Sequence, residues 1–501
     1  MHRRERRRHI AASRPSCHYG DETLDGVDAP MEDRRVDNKR GQSKNIPVKR
    51  SSMRARKRAA DMRNLVFVIM AAVLPMLGAT ECRGQDRKTE VQEAFDNGLS
   101  SLSKGNTDLA IRYFTEAIQL DPKCAKAYYG RGLVYWGKGE SDMAIAEYTE
   151  AIQLDPKYAV AYCKRGAVYF RKDEYDKAIA DYTEAIRLNP NDASAYVYRG
   201  TAYWGKDEPD KAIADFTDAI RLNPNDANVY YYRGLVYFRK GDYDTAIADY
   251  SEAIRLNPKY VKAYFDRGAT YFQKDAYDNV IADCTEAIRL DPKDAEAYYF
   301  RGAAYGGKGD FDKAITGYTE AIRLNPKHAV AYFYRGTVYW KKGEYDKAIA
   351  DYTEAIQLDS RRAKAYVYRG LAYVQKGEPE KAIADYTEAI RLDPNDARVY
   401  CKRGLLNVIK DKDKAITDYT EAIRLDPKYA EAYSGRGLAY AAKGDQDTAI
   451  ADLTEVIRLD PQNAWAYQGR GLAYAQKGER LKAAQDFAQA KKLGYKPPEA
   501  K

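Results

Sequence analysis

The chain has 501 residues, 45% hydrophobic and 31% charged, with 83 Lys and Arg against 74 Asp and Glu and a net charge of +9. Those proportions describe a soluble globular chain and exclude a disordered or membrane-embedded one. The four histidines are His2, His9, His18 and His328, so the body of the chain holds a single histidine, which nearly excludes histidine-based catalysis or a His-ligated metal site there.

The charge is unevenly placed. Residues 1–63 carry 18 basic and 9 acidic residues, and the rest of the chain carries 65 of each. With basic runs Arg3–Arg8 and Arg54–Arg58 and no apolar periodicity, residues 1–63 read as a basic disordered segment. No charge then occurs from Asn64 to Thr80, and Leu65 to Leu74 is strongly apolar. As a helix this stretch spans ~25 Å, the short limit for a bilayer. Residues 64–82 are therefore expected to be a signal peptide or a membrane anchor. Met62-Arg63-Asn64 makes a compact positive start, which places residues 1–61 upstream of the expected true start at Met62. If retained, residues 64–80 contact the membrane with the basic side in the cytoplasm. The remainder is then exported (periplasmic or extracellular, in a bacterial cell) or anchored outside the cytoplasm.

From Val91 the chain repeats. Pro122, Pro156, Pro190, Pro224, Pro258, Pro292 and Pro326 stand 34 residues apart, and an Arg-Gly pair keeps the same beat from Arg131-Gly132 to Arg470-Gly471. Twelve repeats follow: 91–124, 125–158, 159–192, 193–226, 227–260, 261–294, 295–328, 329–362, 363–396, 397–429, 430–463 and 464–497. The tenth is one residue short between Gly404 and Ala415, where a shortened turn is expected. A period of this length means an all-α solenoid of helix-turn-helix units.

In repeat 159–192, Ala161, Tyr162, Ala167 and Tyr169 begin one apolar stripe, and Ala178, Ile179, Tyr182, Ala185, Ile186 and Leu188 form a second. Lys172-Asp173-Glu174 makes the turn, where sister repeats carry Gly139, Gly241 or Gly343. Pro190 ends the pair by pushing Asn189 out of the helical region. Gly166 recurs in all twelve repeats, which predicts close helix–helix approach there. Tyr162, Tyr169 and Tyr182 are predicted core residues. Arg165 recurs in eleven repeats and an acid about sixteen residues later in ten, read as an ion pair bracing helices rather than a catalytic group. The six cysteines show no CxxC or close pairing; Cys163, Cys284 and Cys401 read as apolar fillers. The first repeat has Asn97 for Arg and Ser101 for Tyr, and the last has Ala484 and Lys491 for the recurrent Ile pair, as capping repeats require.

The pattern Tyr162, Gly166, Tyr169, Ala178, Tyr182, Ala185 and Pro190 resembles the tetratricopeptide repeat family over residues 91–497. The resemblance implies antiparallel helix pairs in a right-handed superhelix with a concave groove. It also implies that the second, fifth, sixth, ninth, twelfth and thirteenth residues of each first helix line that groove. Among these, Tyr129, Tyr231, Phe265, Tyr299 and Phe333 hold fifth places, and Trp136, Phe170, Trp204, Phe238, Phe272 and Trp340 hold twelfth places. They are the candidate partner-binding residues, because aromatic anchors dominate protein recognition. The same spacing also fits rings packed between adjacent repeats. The family's clamp for chaperone tails does not carry over, since ninth places hold Leu133, Ala167, Thr201 and Leu235.

The expected function is a non-catalytic scaffold holding a peptide or partner helix, with protein partners and no cofactor, metal or small-molecule substrate. The alternatives are a substrate-recruiting subunit of an enzyme such as a transferase, and nucleic-acid binding through the basic arm. The arm lacks aromatic interleaving, so no nucleic acid is expected.

Overall fold

The computed structural model describes residues 85–495, so the basic segment 1–63 and the apolar segment 64–82 lie outside the described residues. Within them the protein is all-α: 24 helices and no strand. No described helix is long and apolar enough to cross a membrane. The chain divides into two bodies, one ending at Ala276 and the other beginning at Tyr277.

The first body contains α1 (Gln85–Ser103), α2 (Thr107–Leu120), α3 (Ala125–Lys138), α4 (Ser141–Leu154), α5 (Ala159–Arg171), α6 (Tyr175–Leu188), α7 (Ala193–Gly205), α8 (Pro209–Leu222), α9 (Ala227–Lys240), α10 (Tyr243–Leu256) and α11 (Val261–Phe272). The second contains α12 (Tyr277–Leu290), α13 (Ala295–Gly307), α14 (Phe311–Leu324), α15 (Ala329–Lys341), α16 (Tyr345–Leu358), α17 (Ala363–Gln375), α18 (Pro379–Leu392), α19 (Ala397–Asn407), α20 (Lys412–Leu425), α21 (Ala430–Lys443), α22 (Gln446–Leu459), α23 (Ala464–Gln476) and α24 (Arg480–Lys492). Within each body every helix packs on the one before and the one after. First helices of successive repeats also touch, as α5 touches α7. This is the solenoid arrangement, in which each pair buries its apolar face on its neighbours.

Local chemistry explains the helix ends. Asn189 is extended at φ −136°, as a residue before proline must be, and it closes α6. Gly139, Gly241 and Gly343 take φ of 83°, 80° and 77° in the turns between paired helices. Asp173, Asp207 and Asp275 hold the same left-handed conformation at φ 60°, 65° and 54°, where a side chain costs about 1 kcal/mol.

Alanines permit the tight packing: Ala161, Ala178 and Ala185 are buried, as are their sister positions in the repeats that follow. A Cβ on Gly166 would meet the Tyr182 ring at 3.0 Å and the Asp181 Cβ at 3.2 Å, the close approach its recurrence predicted. At Gly302 the obstacle is backbone, the Ala314 carbonyl at 3.1 Å, so α13 and α14 sit closer still.

Two expectations need correction. In repeat 397–429 the missing residue shortens the helix, not the turn: α19 stops at Asn407, where sister helices carry a tyrosine and continue. Asn407 is buried and donates to Asp418, and Ile409 beyond it is 90% exposed. Of the three tyrosines read as core, only Tyr182 is buried. Tyr162 lies half-buried under the Arg165 guanidinium at 5.7 Å, and Tyr169 under the Lys177 ammonium at 5.2 Å. Both rings still pack against the core cluster of Ala178, Tyr182 and Ala185, with one face left to the charged groups above them. The Tyr182 series is buried along the array, including Tyr148, Tyr250, Tyr318, Tyr352, Tyr386 and Tyr419.

Candidate protein-interaction face

The recurring acids and arginines consume one another. Arg165 donates from Nε to Asp181 Oδ2 at 2.9 Å, from Nη2 to Oδ1 at 2.8 Å, and from Nη1 to the Thr149 hydroxyl of the preceding repeat at 3.0 Å. One guanidinium thereby ties three helices. The fork recurs at Arg199, Arg233, Arg335, Arg369, Arg403, Arg436 and Arg470, each with its own aspartate and the preceding Thr. Burial pushes the Asp181, Asp215, Asp249 and Asp351 carboxyls up from the ordinary value, and the arginine hydrogen bonds pull them partly back. These carboxylates are bonded on both oxygens and present no free base to a substrate.

A second ladder joins repeats at the surface. Lys172 meets Asp142 at 2.5 Å, Lys206 meets Asp176 at 2.7 Å, and Lys342 meets Asp312 at 2.6 Å, each thirty residues apart. The pairing continues to Lys477 and Asp447. Helix α24 breaks it by placing the 85% exposed Leu481 where sister helices carry the acid.

The cysteines carry no site among the described residues, where no His, Cys, Asp and Glu cluster suits a metal ion. Cys124, Cys163 and Cys284 are buried and Cys401 is half-buried, all as free thiols. Burial pushes the Cys163 thiol up to about 12. Cys17 and Cys82 lie outside the described residues.

The candidate aromatic residues separate into two groups. Four fifth-place rings are buried: Tyr129, Tyr231, Tyr299 and Phe333. Tyr129 packs 5.7 Å from Tyr148 and 5.1 Å from Tyr158; Tyr231 packs 4.9 Å from Tyr260 and gives its hydroxyl hydrogen to Asp266. Tyr299 lies 5.1 Å from His328, and Phe333 lies 5.5 Å from Tyr368. These rings fill the space between one repeat and the next, and so offer a partner no surface. Phe272 is also buried, while Phe265 is half-buried.

The other twelfth-place rings are half-buried: Trp136, Phe170, Trp204, Phe238 and Trp340. Phe170 and Phe238 lean edge-on or tilted against the first residue of their paired helix, Tyr175 at 5.5 Å and Tyr243 at 5.6 Å. The Arg171 guanidinium stands 5.0 Å over Trp136. The Trp340 indole N–H is enclosed and has no acceptor. In the first body, Trp136, Phe170, Trp204 and Phe238 thus mark four successive repeats on one face of the first helices.

A further set escaped the sequence reading. Leu405, Leu438 and Leu472 occupy ninth places of three successive repeats and are 66%, 54% and 50% exposed. Leu133 and Leu235 hold the same place but are half-buried among clusters that include Trp136 and Phe238. The available signal was the pairing of places: where the twelfth residue is Val408, Ala441 or Ala475, no ring covers the leucine.

Sequence models of the tetratricopeptide repeat match residues 95–159, 159–192, 208–241, 234–275, 261–294, 281–329, 299–363, 335–397, 411–444 and 437–478. No curated protein matches the chain. Among solved structures, MamA is 33% identical over 32% of this chain and 93% of its own, with a TM-score of 0.31. YrrB, described as a TPR protein with an unusual peptide-binding site, is 24% identical over 36% of this chain and 95% of its own, at a TM-score of 0.34. Yeast Tom70 is 19% identical over 82% of this chain and 100% of its own, at 0.33. With the repeat matched along most of its length and built as stacked helix pairs, the chain belongs to the tetratricopeptide repeat family, whose fold serves protein interaction.

Proposed function

We propose that the array is a non-catalytic scaffold that binds an extended peptide or partner helix along the first-helix face of its first body. The observation that carries this reading is the series Trp136, Phe170, Trp204 and Phe238, one ring per repeat, each only half-buried. Rings held rigid at a fixed spacing and left partly in water are what a partner's apolar side chains pack against at low entropic cost. The near-neutral repeat array supports a partner chosen by shape and apolar contact rather than by long-range attraction. The pairing of the recurrent aspartates with arginine in eight repeats supports a role without chemistry.

The test is selection of binding peptides from a displayed library by the full chain, followed by substitution of Trp136, Trp204 and Phe238 with Ala. Loss of peptide binding with helicity retained is expected. Undiminished binding by the triple variant would discard the aromatic face as the site.

We also propose, from the uncharged run Asn64–Thr80, that the array works outside the cytoplasm, released or anchored. N-terminal sequencing of the mature protein tests this. A start within residues 1–61 with no cleavage would discard the signal-peptide version.

A further inference from the structure

Eight repeats fill their arginine fork with the aspartate of the paired helix. Repeat 295–328 keeps the arginine, Arg301, but carries Gly317 in place of the aspartate. We propose that the hollow beside Arg301 binds a carboxylate group supplied from outside the chain.

The geometry supports a receptive site. Arg301 keeps the bond to the preceding Thr, Nη1 to the Thr285 hydroxyl, stretched to 3.4 Å, and its guanidinium lies 5.3 Å over Tyr298. Nε and Nη2, the two donors that grip Asp351 and Asp385 in the following repeats, have no acceptor here among the described residues. Arg301 also lines an open hollow of about 400 Å³ together with Tyr298, Ile315, Thr316, Thr319 and Glu320.

The lining groups do not complete the fork themselves. Glu320 is gripped by Arg323, Nε to both oxygens at 2.9 Å and Nη2 to Oε1 at 2.5 Å. The Thr316 hydroxyl donates to the Asp312 carbonyl, and the Thr319 hydroxyl accepts from Arg335. Nor can the chain restore the missing acid cheaply: a Cβ on Gly317 would stand 2.8 Å from the Gly302 Cα. The close approach of α13 and α14 thus takes the place of the internal carboxylate, and the guanidinium that would have held it lines the hollow.

A carboxylate matches that pair because its two oxygens accept two parallel N–H bonds, which a monatomic anion cannot do. The group can come from a small carboxylic acid or from a Glu or Asp side chain of a bound peptide.

The experiment follows the Arg301 Nε–H resonance of the full chain, assigned by its loss in R301Q, during titration with acetate, with a short Glu-containing peptide, and with chloride at matched ionic strength. A saturable shift with acetate or the peptide and none with chloride supports the site, and the stronger of the two identifies the carboxylate's source. R301K keeps the charge but not the fork; its affinity for the better carboxylate, measured by calorimetry, should fall about tenfold. R369Q, which alters an occupied fork two repeats further on, bonded to Asp385 and Thr353 and away from the hollow, should leave that affinity unchanged. Equal responses to carboxylate and chloride, or undiminished affinity in R301K, would overturn the proposal.

Discussion

Replacing Arg199 with Ala removes the centre of one three-helix brace. The arginine holds Asp215 through Nε at 2.9 Å and Nη2 at 2.7 Å, and the Thr183 hydroxyl through Nη1 at 3.2 Å. The Asp215 side chain is 6% exposed and the Arg199 side chain 18%. Breaking a buried pair by removing one partner costs about 3–5 kcal/mol, because the survivor's charge is left uncompensated. The partial exposure of Arg199 lets water into the vacated space, which brings the expectation down to about 2–3 kcal/mol. Removing Asp215 as well abolishes the orphaned charge, so R199A/D215A should cost less than R199A alone. R301A provides the internal control. It has no aspartate to strand, and should cost no more than about 1 kcal/mol. The assay is hydrogen exchange of the amides in α8, since a long repeat array need not unfold as one two-state unit. At about 1.4 kcal/mol per decade, R199A should speed exchange there about thirty- to hundredfold. Equal effects of R199A and R301A on their own second helices would refute the claim that carboxylate pairing braces the repeats.

Asp207 holds φ 65° in the turn between α7 and α8, so D207G should stabilise that repeat by about 0.5–1 kcal/mol, read as a higher denaturation midpoint. D173G should yield less, because Asp173 also accepts the Tyr175 hydroxyl hydrogen at 2.9 Å. Burial and a thiol pushed up to about 12 keep Cys163 protonated and inaccessible, so alkylation at pH 8 should leave it unmodified while the array is folded. Mass spectrometry of the treated protein checks this, with the half-buried Cys401 expected to react first among Cys124, Cys163, Cys284 and Cys401.

The division of labour between sequence and fold follows from what each residue's neighbours are. Helix pairs, their turns and the need for Gly166 are legible in the chain because each depends on residues close in sequence: an apolar stripe at helical spacing, a proline that stops it, a glycine that admits φ near +80°. The Arg165–Asp181 pairing was legible too, because it links helices of one repeat at a constant separation. Its third arm was not, since Thr149 belongs to the repeat before, and only stacking brings its hydroxyl to Arg165. The same limit applies to the aromatic residues. Tyr129 and Trp136 lie seven residues apart on α3, two turns on one side of the helix, and periodicity treats them alike. Contact with Tyr158 encloses the first between repeats and leaves the second half in water. Exposure of Leu405, Leu438 and Leu472 likewise depends on which side chains stand nearby, and Gly317 reads as a lost acid until α13 and α14 are seen to meet across it. Charge arithmetic separated a basic segment, residues 1–63, from a neutral remainder; only tertiary packing decided which of the array's side chains are left for a partner.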